Sequence, residues 1–106
     1  MPAPALPDDL LSVLAAIDDR AQLQTLFEDL LTPAELDAVG ERWAIVKRLA
    51  AGESQRGIRD ATGASVSTVS RGSRQLKYGS GGFSLAFDRL AALGGIDPRQ
   101  QSEARP

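Results

Sequence analysis

The chain has 106 residues, and its 12 basic and 14 acidic side chains give a formal net charge of −2. It contains neither cysteine nor histidine, which excludes disulfides and thiolate metal sites and removes the commonest general base and metal ligand. The start, MPAPALPDDLLSVLAA, lacks the basic region of a signal peptide, and the apolar runs are too short to span a membrane. We therefore expect a single-domain cytoplasmic protein without a membrane segment.

The small net charge conceals a strong polarity along the chain. Residues 1–41 carry nine acids and one cation, for −8, whereas residues 42–77 carry eight cations and two acids, for +6. Residues 78–106 balance at zero. A basic block of this kind is typical of a surface that binds a polyanion, although solvated helix faces would give the same pattern.

The N-terminal third shows helical spacing of apolar residues. Asp8 or Asp9 is the predicted N-cap of a first helix, and a second helix is predicted from about Asp19 to Leu30. The apolar positions of the first helix are Leu10, Leu11, Val13, Leu14 and Ile17.

The segment LLTPAEL contains the clearest helix start. Thr32 suits the N-cap, Pro33 suits the first helical position, and Glu35 at the third position completes a capping box. This core helix is expected to end near Gly52, a residue type that favours the position after a helix C-terminus.

Two shorter helices are predicted next. Ser54 is the expected cap of the helix in SQRGIRDA, Gly63 ends it, and Ser65 opens a helix that continues to about Lys77. After the flexible break YGSGG, a last helix is predicted over 83–93, and residues 96–106 read as a disordered tail.

A short helix, a tight turn and a second helix form the helix-turn-helix arrangement of many DNA-binding proteins. Ile58, Val66 and Val69 are the predicted buried contacts between the two helices. The second helix begins with small hydroxyl residues, which would let it enter the major groove and form hydrogen bonds with bases or phosphates. An ordinary helical hairpin with a polar face is the alternative interpretation.

The segments LTPAE, RWAIVKRLAAGE, SQR, SRGS and LK, in this order within residues 30–77, resemble the tryptophan repressor family. The flanks FEDLLT and YGSGGFSLAFDRL resemble its YerC/YecD branch. The resemblance implies an all-α, intertwined homodimer with a helix-turn-helix head in each chain. Residues 1–53 would serve dimerisation and part of a ligand pocket, 54–77 the helix-turn-helix, and 78–95 a C-terminal dimerisation helix.

The resemblance also implies a repressor that binds a palindromic operator in double-stranded DNA, with L-tryptophan as corepressor and no other cofactor. Arg42 and Arg71 would flank the indole, on which guanidinium groups stack. Gly72 would allow close approach of the ring, and Gln75 stands where the family has a serine. The other implied ligand contacts are Thr32 and the carbonyls of Asp29 and Leu31. The implied DNA-binding residues are Arg56, Arg59, Val66, Ser67, Thr68, Ser70, Arg74 and Lys77.

Three alternatives differ from tryptophan-dependent repression. The first is a related DNA-binding regulator that is independent of ligand or answers to another small molecule. The second is a helical interaction module whose basic face binds an acidic protein. An enzyme is the least supported alternative, because no carboxylate, lysine or serine pair stands in a recognisable catalytic spacing.

Overall fold

The computed structural model describes residues 5–103, and every regular element in that range is an α-helix. The expected all-α class is therefore confirmed. The chain divides into two compact units, Met1–Ala38 and Val39–Pro106, and the third helix runs across their boundary. The helices are α1 (Asp8–Ala16), α2 (Arg20–Leu30), α3 (Pro33–Ala50), α4 (Gln55–Thr62), α5 (Val66–Tyr78), α6 (Gly82–Ala92) and α7 (Pro98–Glu103).

The first two helices begin in different ways. Asp19 caps α2, and its carboxylate accepts hydrogen bonds from the backbone N–H groups of Ala21 at 2.8 Å and Gln22 at 3.3 Å. The prediction that Asp8 or Asp9 caps α1 is wrong, because the cap position is occupied by Pro7. Both aspartates lie in the first turn, where the positive end of the helix dipole stabilises their negative charge.

The first unit has no closed hydrophobic core of its own. No residue in the range 5–38 is buried, and Leu11, Val13 and Leu30 are about half exposed, at 47%, 47% and 48%. Apolar surface of this extent is costly to leave in water. The amphipathic faces of α1 and α2 are therefore available for further burial.

Local hydrogen bonds define both ends of α3. Glu35 accepts from the backbone N–H of Thr32 at 2.9 Å, and the Thr32 hydroxyl accepts from the backbone N–H of Glu35 at 3.1 Å. These bonds confirm the capping box, and they hold the pKa of Glu35 below its usual value. At the other end, Gly52 has φ +91°, and its N–H donates to the carbonyl of Leu49. The predicted glycine stop is confirmed.

Three buried side chains connect α3 to the α4–α5 pair. Ile45 of α3, Ile58 of α4 and Val69 of α5 form one core cluster, against which Leu49 and Ala64 pack. Val66, predicted to belong to this core, is instead 60% exposed. The small Ala64, in the turn before α5, does pack against the cluster.

The caps of α4 and α5 match the sequence prediction. The Ser54 hydroxyl accepts from the N–H of Gly57 at 3.0 Å, and the Ser65 hydroxyl accepts from the N–H of Thr68 at 3.1 Å. Between them, Gly63 ends α4 with φ +74°, a conformation that glycine adopts without strain. The two helices are thus separated by three residues, 63–65.

Ion pairs of Arg99 join the start of α7 to α6 within the second unit. Asp97, only 7% exposed, pairs with the guanidinium of Arg99 at 2.7 Å, and Arg99 also pairs with Asp88 of α6 at 2.6 Å. The guanidinium lies 5.6 Å from the ring centroid of buried Phe87, which in turn lies 5.6 Å from the ring of Trp43.

The prediction of a disordered tail over 96–106 is therefore wrong for 98–103, where α7 forms. The stabilising charge comes from Arg99, which pairs with Asp88, 11 residues earlier in the chain, and local composition does not reveal such a partner. Residues 104–106 lie outside the described range.

This ion pair predicts a specific pH dependence of stability. The guanidinium of Arg99 lowers the pKa of Asp97, so the pair contributes stability above the unfolded-state pKa of about 3.9 and loses it as the pH falls further. Asp97→Asn should lower the free energy of unfolding at neutral pH. At about pH 2.5 its effect should be much smaller, because the carboxylate of the wild type is then largely protonated.

Urea unfolding at both pH values measures this difference. Asp60→Asn is the matched control, because Asp60 is an exposed carboxylate of α4 that forms no ion pair within the described residues. An equal loss of stability at both pH values for Asp97→Asn would show that the charge of the carboxylate is not what holds α7.

Candidate nucleic-acid interface

The N-terminal turn of α5 presents a patch of small hydroxyl side chains. The Ser65 hydroxyl lies 2.7 Å from that of Thr68 and 3.2 Å from that of Ser67. Ser67 and Val66 are exposed, and Thr68 is half-buried. No long side chain projects from this turn, so another surface can approach the helix closely.

One turn further along, α5 lines a cleft that contains residues from both predicted sites. Its lining consists of Ser67, Ser70, Arg71, Arg74 and Gln75. Three of these residues are predicted DNA contacts, and Arg71 and Gln75 are predicted ligand contacts. The structure thus brings part of the two predicted sets onto one stretch of a single helix.

The α4–α5 segment has a large excess of positive charge. Residues 54–77 contain five cations and a single acid, Asp60. None of these cations takes part in an ion pair within the part of the chain that the structure describes. An uncompensated positive surface attracts phosphate oxygens. The cations are Arg56, Arg59, Arg71, Arg74 and Lys77.

Arg59 differs from the other four cations because it is half-buried. Its Nε atom is buried and has no hydrogen-bond acceptor among the described residues. A buried donor without an acceptor is unfavourable, because it has lost its hydrogen bonds to water. The remaining cations, Arg56, Arg71, Arg74 and Lys77, are exposed.

Gly72 lies on the opposite face of α5, against α3. A Cβ atom at this position would lie 3.3 Å from Cγ2 of Ile45 and 3.4 Å from Cδ1 of Leu49. The absence of a side chain therefore allows α5 to pack closely on the core helix. This packing accounts for a glycine inside a helix, where it costs about 1 kcal/mol relative to alanine.

The other predicted ligand contacts lie on different elements. Arg42 is exposed on α3, whereas Asp29 is exposed in the last turn of α2 and Leu31 is its C-cap residue. Carbonyl groups in a last helical turn lack intrahelical donors and can accept from a ligand. Thr32 is engaged in the capping box, with its hydroxyl accepting from Glu35.

Gln55 also belongs to this surface, although the sequence did not predict it. The Ser70 hydroxyl donates a hydrogen bond to Oε1 of Gln55, at 3.1 Å, and thereby joins the first turn of α4 to the middle of α5. Both side chains are exposed. The only sequence signal was the position of Gln55 in SQR, directly after the Ser54 cap.

Comparison with known proteins places this arrangement in a family. The model of the Trp repressor protein family matches residues 7–91. The chain belongs to the Trp repressor family. α7 lies beyond the matched range, so its contacts with α6 are not part of the family match.

Two relatives support the assignment. The uncharacterized protein YerC of Bacillus subtilis (strain 168) is 31% identical over 83 residues, which cover 78% of this chain and 80% of YerC. A crystal structure of a candidate Trp repressor from Staphylococcus aureus superposes with a TM-score of 0.72 at 27% identity, covering 79% of this chain and 84% of the other.

Membership fixes the broad class of the protein. Trp repressor-like proteins are DNA-binding regulators rather than enzymes, and the fold of this chain matches theirs. Within residues 5–103, no helix combines the length and the apolar composition that crossing a membrane requires.

Proposed function

We propose that this protein is a transcriptional repressor that binds a palindromic operator in double-stranded DNA as a homodimer in the cytoplasm. In this proposal α4 and α5 form a helix-turn-helix, and α5 is the recognition helix. The observation that carries the proposal is the exposed face of α5, which combines small hydroxyl residues with cations that have no intramolecular ion pair.

The residues of α5 suit different parts of the duplex. Ser67 and Ser70 are short enough to let the helix sink into the major groove, which is about 12 Å wide. The exposed methyl groups of Val66 suit contact with the methyl group of thymine. Arg74 and Lys77, further along the helix, suit phosphates on either side of the groove.

Homodimerisation is supported by apolar surface that the single chain leaves open. In the first unit, Leu11 and Val13 are about half exposed, and in the second unit Leu85 of α6 is 57% exposed. A second copy would bury such faces and would supply the second recognition helix. Two recognition helices about 34 Å apart would contact successive major grooves on one side of the duplex.

L-tryptophan is the proposed corepressor, and no other cofactor is part of the proposal. Family membership supports it, as do the exposed guanidinium groups of Arg42 and Arg71, because guanidinium stacks on indole and pairs with carboxylate. Since Arg71 shares a cleft with Ser70 and Arg74, a ligand there would lie directly beside the proposed DNA contacts.

A ligand-independent regulator, or one that responds to another molecule, is the second candidate. The observation that favours it is Gln75, which lines the same cleft and is longer than the serine that the family resemblance implies at this position. Gel shifts on a selected operator with and without L-tryptophan separate the two candidates. Equal affinities would favour the second.

Selection from a randomised duplex library should enrich a palindromic sequence. Binding to the enriched duplex then tests whether the exposed cations of α5 contact DNA. Lys77→Gln should weaken binding to all sequences alike. It should also lower the slope of log K against log salt by about two, because each protomer loses one phosphate contact.

Lys47→Gln provides the control for that experiment. Lys47 lies on α3, with its ammonium 5.6 Å from the ring centroid of Trp43, outside the proposed DNA surface. It should leave the salt dependence unchanged. If no sequence is enriched, or if Lys47→Gln and Lys77→Gln change the slope equally, α5 is not the recognition helix.

Calorimetric titration with L-tryptophan tests the corepressor site. Arg71→Leu should weaken tryptophan binding about tenfold or more, equivalent to ~1.4 kcal/mol, because the indole loses a stacking partner and the carboxylate loses a cation. Arg89→Leu, which removes an exposed arginine of α6, is the matched control and should bind normally. Unchanged affinity in Arg71→Leu would rule out this pocket.

A further inference from the structure

We propose that Gln55 fixes Ser70 as a hydrogen-bond acceptor, so that Ser70 selects a base with an exocyclic amino group, adenine or cytosine, in the major groove. The inference rests on the proposed function, since it assumes that α5 enters that groove. It adds a specificity-determining pair and the class of base that the pair recognises.

The geometry sets the direction of the hydrogen bond. Ser70 Oγ lies 3.1 Å from Gln55 Oε1, and a carboxamide oxygen only accepts, so the hydroxyl of Ser70 is the donor. The bond connects two helices and spans 15 positions of sequence. The hydrophobic core fixes the two helices that carry these side chains, because Val69, directly before Ser70, is buried against Ile58 of α4.

Two threonine hydroxyl groups in other helices form a different kind of hydrogen bond. Thr25 donates to the carbonyl of Ala21 at 3.0 Å, and Thr62 donates to the carbonyl of Ile58 at 2.7 Å. These are the usual bonds of a hydroxyl to the backbone one turn earlier. Ser70 instead bonds across to α4, which directs its proton away from its own helix axis and toward Gln55.

The remaining capacity of Ser70 determines what it can bind. A serine hydroxyl has one proton and two acceptor lone pairs, so a hydroxyl that donates to Gln55 can only accept from a base. In the major groove, adenine N6 and cytosine N4 are the donors, whereas guanine presents only acceptors and thymine presents an acceptor and a methyl group. The pair therefore favours adenine or cytosine.

Gln55 also has capacity left for DNA. Its amide nitrogen carries two donors, and it lies in the first turn of α4 next to Arg56, where backbone N–H groups favour anions. A phosphate contact at this nitrogen would hold the carboxamide in the orientation that accepts from Ser70. DNA binding would then stabilise the hydrogen bond in which Ser70 donates to Gln55.

The test measures relative affinities of the full-length protein for the selected operator and for duplexes with every single base-pair change. Ser70→Ala identifies the base pair that Ser70 contacts, because discrimination is lost there. The wild type should prefer the duplex with adenine or cytosine at that base pair, by about tenfold, over a duplex in which this base is replaced by an analogue without the exocyclic amino group, within the range expected for a direct base contact. Gln55→Ala should reduce this preference to less than about threefold, because the freed hydroxyl can rotate and donate.

Three further variants make the result specific. Gln55→Glu should keep the preference, although its charge weakens binding to every duplex, because a carboxylate also accepts from Ser70. The double variant Gln55→Ala with Ser70→Ala should lose no more discrimination than Ser70→Ala alone. Ser84→Ala is the matched control: it removes an exposed hydroxyl of α6, outside the proposed DNA surface, and it should leave the preference at the Ser70 position intact.

The outcomes separate this inference from the proposed function. If Gln55→Ala retains the full preference, or if removal of the exocyclic amino group at that base pair costs the wild type no affinity, the inference is overturned while DNA binding stands. If the wild type shows no sequence preference at any base pair, the proposed function fails and this inference fails with it. Circular dichroism melting of each variant confirms that the helices are intact.

Discussion

The arrangement of α4 and α5 depends on the burial of three aliphatic side chains, Ile45, Ile58 and Val69. α4 has 8 residues and α5 has 13, and helices of this length are marginal in water on their own. Their exposed faces contain mainly serine, threonine, glutamine and arginine, so those faces contribute little to folding. The cluster stabilises both helices on α3 and leaves the polar face free for binding.

Burial of this cluster gives α5 two distinct faces, one packed on α3 and one exposed for binding. Val69 and Gly72 face the core helix, and the lack of a side chain at Gly72 sets how closely the two helices approach. Ser67, Ser70 and Arg74 lie on the exposed side, along the cleft that Arg71 and Gln75 complete. A ligand or a duplex at this cleft therefore acts on a helix whose other face is tightly packed. Such a helix can transmit a change of position more directly than a loosely attached one.

The sequence predicted the features whose chemistry is local. The caps at Ser54 and Ser65 and the box of Thr32 with Glu35 require only residues three apart, and all were predicted correctly. The errors concern partners that are distant or unusual. Pro7 occupies the cap position expected for an aspartate, and Val66, expected in the core, is 60% exposed. α7 is held by the bond from Arg99 to Asp88, 11 positions away. The hydrogen bond between Gln55 and Ser70 was missed for the same reason, since it exists only once two helices are packed together.

The proposed position of the N-terminal turn of α5 in the major groove can be measured directly, because the chain contains no cysteine. A single Ser67→Cys variant, coupled to an iron–EDTA cleavage reagent, reports where this turn lies on a selected operator. This position of the turn predicts cleavage at two sites related by the symmetry of the operator and separated by about one helical turn. Diffuse cleavage along the duplex, or the same pattern from a reagent at Val13→Cys on α1, would contradict it.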